Sequence, residues 1–204
     1  MKKTVAILAL AALGAGVASQ AMAQQSPWQI RARAVNINPA DKSDPVGGVG
    51  PADQITVSNK TIPEVDITYF LTPNLAAELI LTYPQKHKVY LSGTNIGTFK
   101  HLPPTLTLQY HFTPGAQFSP YVGAGVNYTR IGSVKLLNGA GDLDNNSFGF
   151  ALQAGVDFKL DKNWSINLDV KKVQIRSDVM VGGAKVSEVK VDPLLVGVGL
   201  GYRF

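Results

Sequence analysis

No cysteine occurs anywhere in the chain, which excludes a disulfide framework, a thiol nucleophile and a cysteine-bound metal. Long apolar runs are absent too. The longest, Val5 to Val17, spans 13 residues, whereas a membrane-spanning helix needs about 20. No Gly-x-Ser-x-Gly elbow is present and no convincing nucleophile, base and acid set stands out, so no catalytic residue, metal or cofactor is expected. Histidine is scarce. His87, His101 and His111 have no fixed carboxylate companion, a feeble metal site, and read as side chains of the surface or of an interfacial belt. Charge never collects into a run: 19 basic and 14 acidic side chains are scattered, which argues against a nucleic-acid partner. The run Gly47-Gly48-Val49-Gly50 does not sit between a strand and a helix, so it reads as a mobile surface loop rather than a phosphate cradle.

What is present begins with the first 23 residues. Lys2 and Lys3, the apolar run and the small-residue site Ala21-Met22-Ala23 have the three parts of a cleaved secretory signal peptide. The remainder, residues 24–204, is expected to form a single domain. Removing Lys2 and Lys3 leaves 17 basic side chains against 14 acidic ones. An exported chain with no spanning helix is either periplasmic or secreted, or crosses a membrane as a barrel.

Period-two alternation appears eight times. The segments are Trp28 to Ile37, Ile62 to Leu71, Leu75 to Tyr83, Leu102 to Phe112, Tyr121 to Arg130, Phe148 to Phe158, Trp164 to Lys171, and the terminal Leu194 to Phe204. In the first, Trp28, Ile30, Ala32 and Ala34 alternate with Gln29, Arg31 and Arg33. Three connections are short and rich in turn formers: Thr72 to Asn74, Thr113 to Ser119 and Asp161 to Asn163. The others, roughly Asn38 to Thr61, Pro84 to His101, Ile131 to Ser147 and Asp178 to Lys190, are long, polar and glycine-bearing. Short and long connections alternate without exception, as in an all-β, eight-stranded antiparallel transmembrane barrel with tight periplasmic turns and long external loops.

A soluble lipocalin-type barrel also alternates, with its apolar face inward. Two features favour the membrane form. The lean face is crowded with glycine and small residues, as a narrow interior demands, and the greasy face is flanked by aromatics. Trp28, Tyr69, Phe70, Tyr110, Phe112, Tyr121, Phe158, Trp164, Tyr202 and Phe204 are expected to form a girdle at the short-turn end. Tyr202 and the final Phe204 also look like the C-terminal signal that such barrels show to their assembly machinery.

With these residues laid out, the chain resembles the OmpW family of small outer-membrane proteins. The resemblance rests on Ala77-Glu78-Leu79, Tyr83-Pro84 with His87-Lys88, His101-Leu102-Pro103-Pro104-Thr105-Leu106, Pro120 to Tyr128, and Gly201-Tyr202-Arg203-Phe204. It implies an outer-membrane location, contact with outer-membrane lipid, and passive movement of small hydrophobic solutes from the external face. It also makes the external loops candidate sites for phage or bacteriocin ligands.

Turning the lean faces inward places Arg31, Arg33, Asp66, Glu78, Asp157, Asp169, Lys171 and Arg203 in the lumen, where opposite charges should pair into a plug toward the periplasmic end. Val35, Ile80, Pro103 and Leu195 interrupt that polar face and are expected to line an apolar vestibule above the plug. Pro103 and Pro104 cannot donate to a strand ladder, so they mark a site of lateral opening into the bilayer. A non-conducting structural, adhesive or receptor barrel, its loops binding partners, is the alternative.

Overall fold

The computed structural model describes residues 25–204; the expected signal segment, Met1 to Ala23, lies outside them. Alternation becomes strand throughout: β1 (Trp28–Asn38), β2 (Lys42–Ser43), β3 (Ile55–Val57), β4 (Lys60–Phe70), β5 (Leu75–Leu81), β6 (Gln85–Leu91), β7 (Thr94–Leu102) and β8 (Thr105–His111). Then follow β9 (Phe118–Leu136), β10 (Gly141–Leu143), β11 (Asn146–Lys159), β12 (Trp164–Val173), β13 (Arg176–Val181), β14 (Ala184–Lys190) and β15 (Leu194–Arg203). Eight of them close a ring of antiparallel neighbours, β1-β4-β5-β8-β9-β11-β12-β15 and back to β1. Closure leaves no unpaired sheet edge around the middle of the molecule.

The short turns lie at one end, with the β1 N-terminus and the β15 C-terminus. In the β11–β12 turn the Asp161 carboxylate accepts the backbone N–H groups of Trp164 and Asn163 at 2.8 Å each. These bonds hold its pKa below the ordinary carboxylate range. Just above, Trp28 meets Tyr69, Trp164 meets Tyr202, Tyr202 meets Phe204 and Tyr110 meets Phe112, all edge to face. Phe70 and Tyr121, expected in this girdle, point into the lumen instead and are 8% and 1% exposed. Alternation is the reason: Tyr69 and Phe70 cannot both face outward, and Tyr121 has the opposite parity to Val122.

The four long connections are not loops. They carry β2, β3, β6, β7, β10, β13, β14 and the upper end of β9, which lengthen the barrel wall beyond the ring. β9 alone has 19 residues, about 60 Å of strand. Glycines still serve the turns, as at Gly182 and Gly183 (φ 58° and 83°) in the β13–β14 hairpin. Gly47 and Gly48, also left-handed at φ 66° and 73°, form an exposed turn in the connection between β2 and β3.

Along the wall strands that run on into the extension, such as β1, β9 and β12, the polarity of the two faces inverts. On β12 the inward residues run Ser165, Asn167, Asp169, Lys171 and then Val173, while the outward ones run Trp164, Ile166, Leu168, Val170 and then Lys172. On β9 the outward Val122, Ala124, Val126 and Tyr128 give way to Arg130, as the inward Asn127 and Thr129 give way to Ile131. The outward belt from Trp164 to Val170 covers about 20 Å of strand. Its side chains are bare: Phe150 is 69% exposed and Leu152 is 63% exposed, beside Gln153 at 4%. Above the belt the exterior is charged and the interior apolar. A two-faced wall of this kind is stable only if hydrocarbon surrounds the belt and water surrounds the extension.

Candidate functional site

The lower lumen is packed with paired charge. The Arg31 guanidinium donates to Glu78, to Asp157 at 2.6 and 3.3 Å, and to the Thr68 hydroxyl at 2.9 Å. Arg33 lies 3.2 Å from Asp66 and 3.4 Å from each of Glu64, Glu78 and Asp169. Lys171 pairs with Glu64 and sits 3.4 Å from Asp169. Neutral groups complete the net. The Gln153 amide donates to Glu78 at 2.9 Å and Asp169 at 2.7 Å, the Tyr121 hydroxyl donates to Asp169 at 2.7 Å, and the Asn167 amide donates to Asp157 at 2.9 Å. All these side chains are buried. Backbone fit is equally tight: a Cβ at Gly199 would collide with the Ala32 carbonyl and come within 2.7 Å of the Arg33 Cα.

Seven of the eight residues expected in the plug therefore meet in one network. Arg203 does not join it. Its guanidinium stacks on the Phe70 ring at 3.8 Å and donates to the Ser26 carbonyl at 2.9 Å, at the periplasmic mouth below the ion pairs. Glu64, Thr68, Tyr121, Gln153 and Asn167 are members that the sequence reading passed over. Inward parity on β4, β9, β11 and β12 was the signal that could have found them.

Above the plug the lumen turns apolar. Val35, Ile80 and Leu195 are buried, and Ile80, Pro103 and Leu195 line a narrow cavity of about 30 Å³ together with Ile37, Ile62, Val173 and Ile175. Glu64 and Lys171, the top of the plug, form part of its lining. A second narrow cavity of about 20 Å³ is lined by Ile55, Val57, Val89, Phe99, Leu136 and Val179 among others, and Ile175 borders both.

The wall beside the lower cavity is incompletely laced. β4 pairs with β5 from Phe70↔Ala76 to Val65↔Leu81. The next backbone bond along that side runs from Ser58 N–H to Lys88 O at 3.0 Å. Between them, among the described residues, only side chains bridge: the Thr82 hydroxyl to Pro63 O at 3.2 Å, the Lys60 ammonium to Lys86 O at 3.5 Å and the His87 ring to Ser58 O at 2.8 Å. A second interruption separates Ile80↔Thr105 from Gln85↔His101, leaving 82–84 unpaired with 103–104. Pro63, Pro84, Pro103 and Pro104 border this patch, and none has an N–H to give. On their other edge Pro103 and Pro104 are held to β9, by Tyr128 N–H to Pro104 O at 3.1 Å and by the Asn127 amide. The seam thus faces β4 and β5. Ile62, Thr82 and Pro103 belong to both seam and cavity.

The three histidines are buried in the lumen, contrary to the surface or girdle placement expected. His111 lies between Phe70 and Tyr121 near the mouth, with ring centroids 5.0 Å from each. His87 and His101 stand at the seam, 4.8 Å apart. Their strands alternate like the rest, so inward parity on β6 and β7 places them inside. Among the described residues no cluster of three or more histidine, cysteine, aspartate or glutamate side chains is arranged to hold a metal.

A closed antiparallel barrel with a hydrocarbon belt, an aromatic girdle and a charged core is an outer-membrane β-barrel protein, and comparison with known proteins agrees. Over residues 24–204 the chain matches the model of the OmpW family. It belongs to that family, and its place is the cell outer membrane. It is 45% identical over 186 residues to the uncharacterized outer-membrane protein y4mB of Sinorhizobium fredii, covering 88% of this chain and 80% of that protein. It is 28% identical to the dibenzothiophene metabolism operon protein PahQ of Pseudomonas aeruginosa, covering 92% and 93% of the two. Among solved structures, OprG from Pseudomonas aeruginosa superposes with a TM-score of 0.78 at 28% identity, covering 88% of this chain and 97% of that one.

Proposed function

We propose that the barrel admits small hydrophobic molecules passively from the external face and releases them sideways into the bilayer through the seam at Pro103 and Pro104, above the charged plug. The carrying observation is the change of lining: two apolar cavities lie above a lumen filled by ion pairs. A solute that enters the upper lumen meets buried charge below it, and unpairing that charge is expensive. The weakest wall lies beside the lower cavity. Val35, Ile80, Pro103 and Leu195 act as the apolar lining, and Arg31, Arg33, Asp66, Glu78, Asp157, Asp169 and Lys171 as the stop. The name of the relative from a dibenzothiophene operon, a pathway for an apolar aromatic, supports the same solute class. No step requires a catalyst or cofactor.

Replacing Pro103 and Pro104 with valine, which restores two backbone donors and suits a strand, should slow uptake of an apolar solute several-fold in cells or reconstituted membranes. Unchanged uptake by the folded variant disposes of the lateral exit. A second reading, a receptor barrel whose external strands bind phage, bacteriocin or another partner, draws on the β13–β14 hairpin. Lys185 there pairs with Asp178 at 2.6 Å and Lys190 with Asp44 at 2.8 Å, which builds a definite exposed surface. Tyr202 and Phe204 keep the proposed role of presenting the last strand to the assembly machinery.

A further inference from the structure

Buried polar atoms in folded proteins are nearly always hydrogen-bonded. Four that gather at the seam are not: Gln85 Oε1, His87 Nε2 and both ring nitrogens of His101 have no partner among the described residues. These side chains are 0%, 1% and 2% exposed. Strand register brings them together, with Gln85 directly opposite His101 and His87 next along the inner face of β6. Phe99 lines the upper cavity and His101 the lower, so the cluster stands where the two meet.

The hydrogen-bond inventory gives the cluster a preference. His87 Nδ1 lies 2.8 Å from the Ser58 carbonyl, which can only accept, so Nδ1 bears the proton and Nε2 of the neutral ring is an acceptor. The Gln85 amide nitrogen donates to Tyr83 O at 2.7 Å and to the Thr82 hydroxyl at 3.1 Å, leaving Oε1 as an acceptor. A neutral His101 contributes one donor and one acceptor. Three acceptors and one donor thus wait at the edge of an apolar cavity, the arrangement of a small-molecule site. A hydrocarbon leaves all of them unmet. A carboxylate, which only accepts, would give up its hydration for little return. A hydroxyl both donates and accepts. The Lys60 ammonium at the same seam repels a cationic amine.

We infer that the passage selects amphiphiles bearing a single hydroxyl, alcohols or phenols, whose oxygen rests on Gln85, His87 and His101 while the apolar body wedges between Ile37, Ile62, Ile80 and Leu195. This rests on the uptake reading of the same passage and adds the chemical class of its cargo.

The full chain in lipid nanodiscs at pH 7.5, where ordinary imidazole is neutral, can be titrated with toluene, phenol and benzoate. Binding is read from the methyl resonances of Ile80 and Leu195 and referred to each probe's concentration in the lipid phase. Phenol should bind at least about tenfold more tightly than toluene, benzoate should bind more weakly than either, and phenol should shift the His87 Nε2 resonance. His101→Phe should abolish the advantage of phenol and leave toluene unchanged; if it does not fold, Gln85→Leu serves in its place. Equal binding of phenol and toluene, tightest binding of benzoate, or a phenol advantage that survives both substitutions overturns the inference while leaving uptake standing. If no probe reaches the inward methyls, the uptake reading itself fails.

Discussion

Replacing Arg31 with leucine should be among the most damaging single changes in the molecule. Its guanidinium is wholly buried and serves Glu78, Asp157 and Thr68. Without it Glu78 keeps Arg33 at 3.4 Å, Thr68 at 2.9 Å and Gln153 at 2.9 Å. Asp157 keeps only the Asn167 amide at 2.9 Å and loses its sole cation within 4 Å among the described residues. Removing one partner of a buried pair costs about 3–5 kcal/mol, because the remaining charge stays desolvated. Urea unfolding in lipid vesicles, followed through Trp28 and Trp164, should therefore show a fall in folding equilibrium of about two to four powers of ten. Lys185→Gln is the internal reference. It removes an exposed, solvent-screened pair with Asp178 and should leave the unfolding transition almost where it was. If R31L and K185Q unfold alike, the lower lumen is not the dry ion-paired plug described, and the argument that solutes stop there falls.

Leu168, outward on β12 near the middle of the belt and 54% exposed, should tolerate arginine poorly. The cost expected in the same vesicle assay is about 2–4 kcal/mol, against under 1 kcal/mol for an outward change at Lys172, beyond the belt. Phe204→Ala should slow assembly into membranes that contain the barrel machinery while leaving unassisted folding in detergent within a factor of two; equal rates in both would remove its role as an assembly signal.

Alternation and connection length carried most of the ring into view before any coordinates. Strands such as β12 and β15 are apolar on one side and small or charged on the other, which only a narrow barrel in hydrocarbon accommodates. The external extension was harder to read for a physical reason. Lys86, His87, Lys88, Val89, Tyr90 and Leu91 alternate as regularly as a membrane strand, but with charge outward, because water replaces lipid there. Read for outward grease, such a segment passes for a polar loop. The same inversion hid His87, His101 and Phe99 inside the lumen. Pro103 and Pro104 marked the weak wall, yet its fuller extent depended on Pro63 and Thr82, whose neighbourhood is a product of register rather than sequence spacing. Arg203 has the inward parity of the plug but lies beyond its reach, since position along the axis is not encoded in alternation.

Whether an apolar solute rests inside the barrel above the plug can be measured directly. Protein with protonated isoleucine, leucine and valine methyls, otherwise deuterated and held in deuterated lipid, would be exposed to protonated hexane and examined for intermolecular NOEs. Contacts to Ile62, Ile80 and Leu195 are predicted, with none to residues at the level of Asp157. Contacts confined to Leu79, Leu81 and Val196, the outward neighbours, would mean that hexane dissolves in the lipid and never enters the passage.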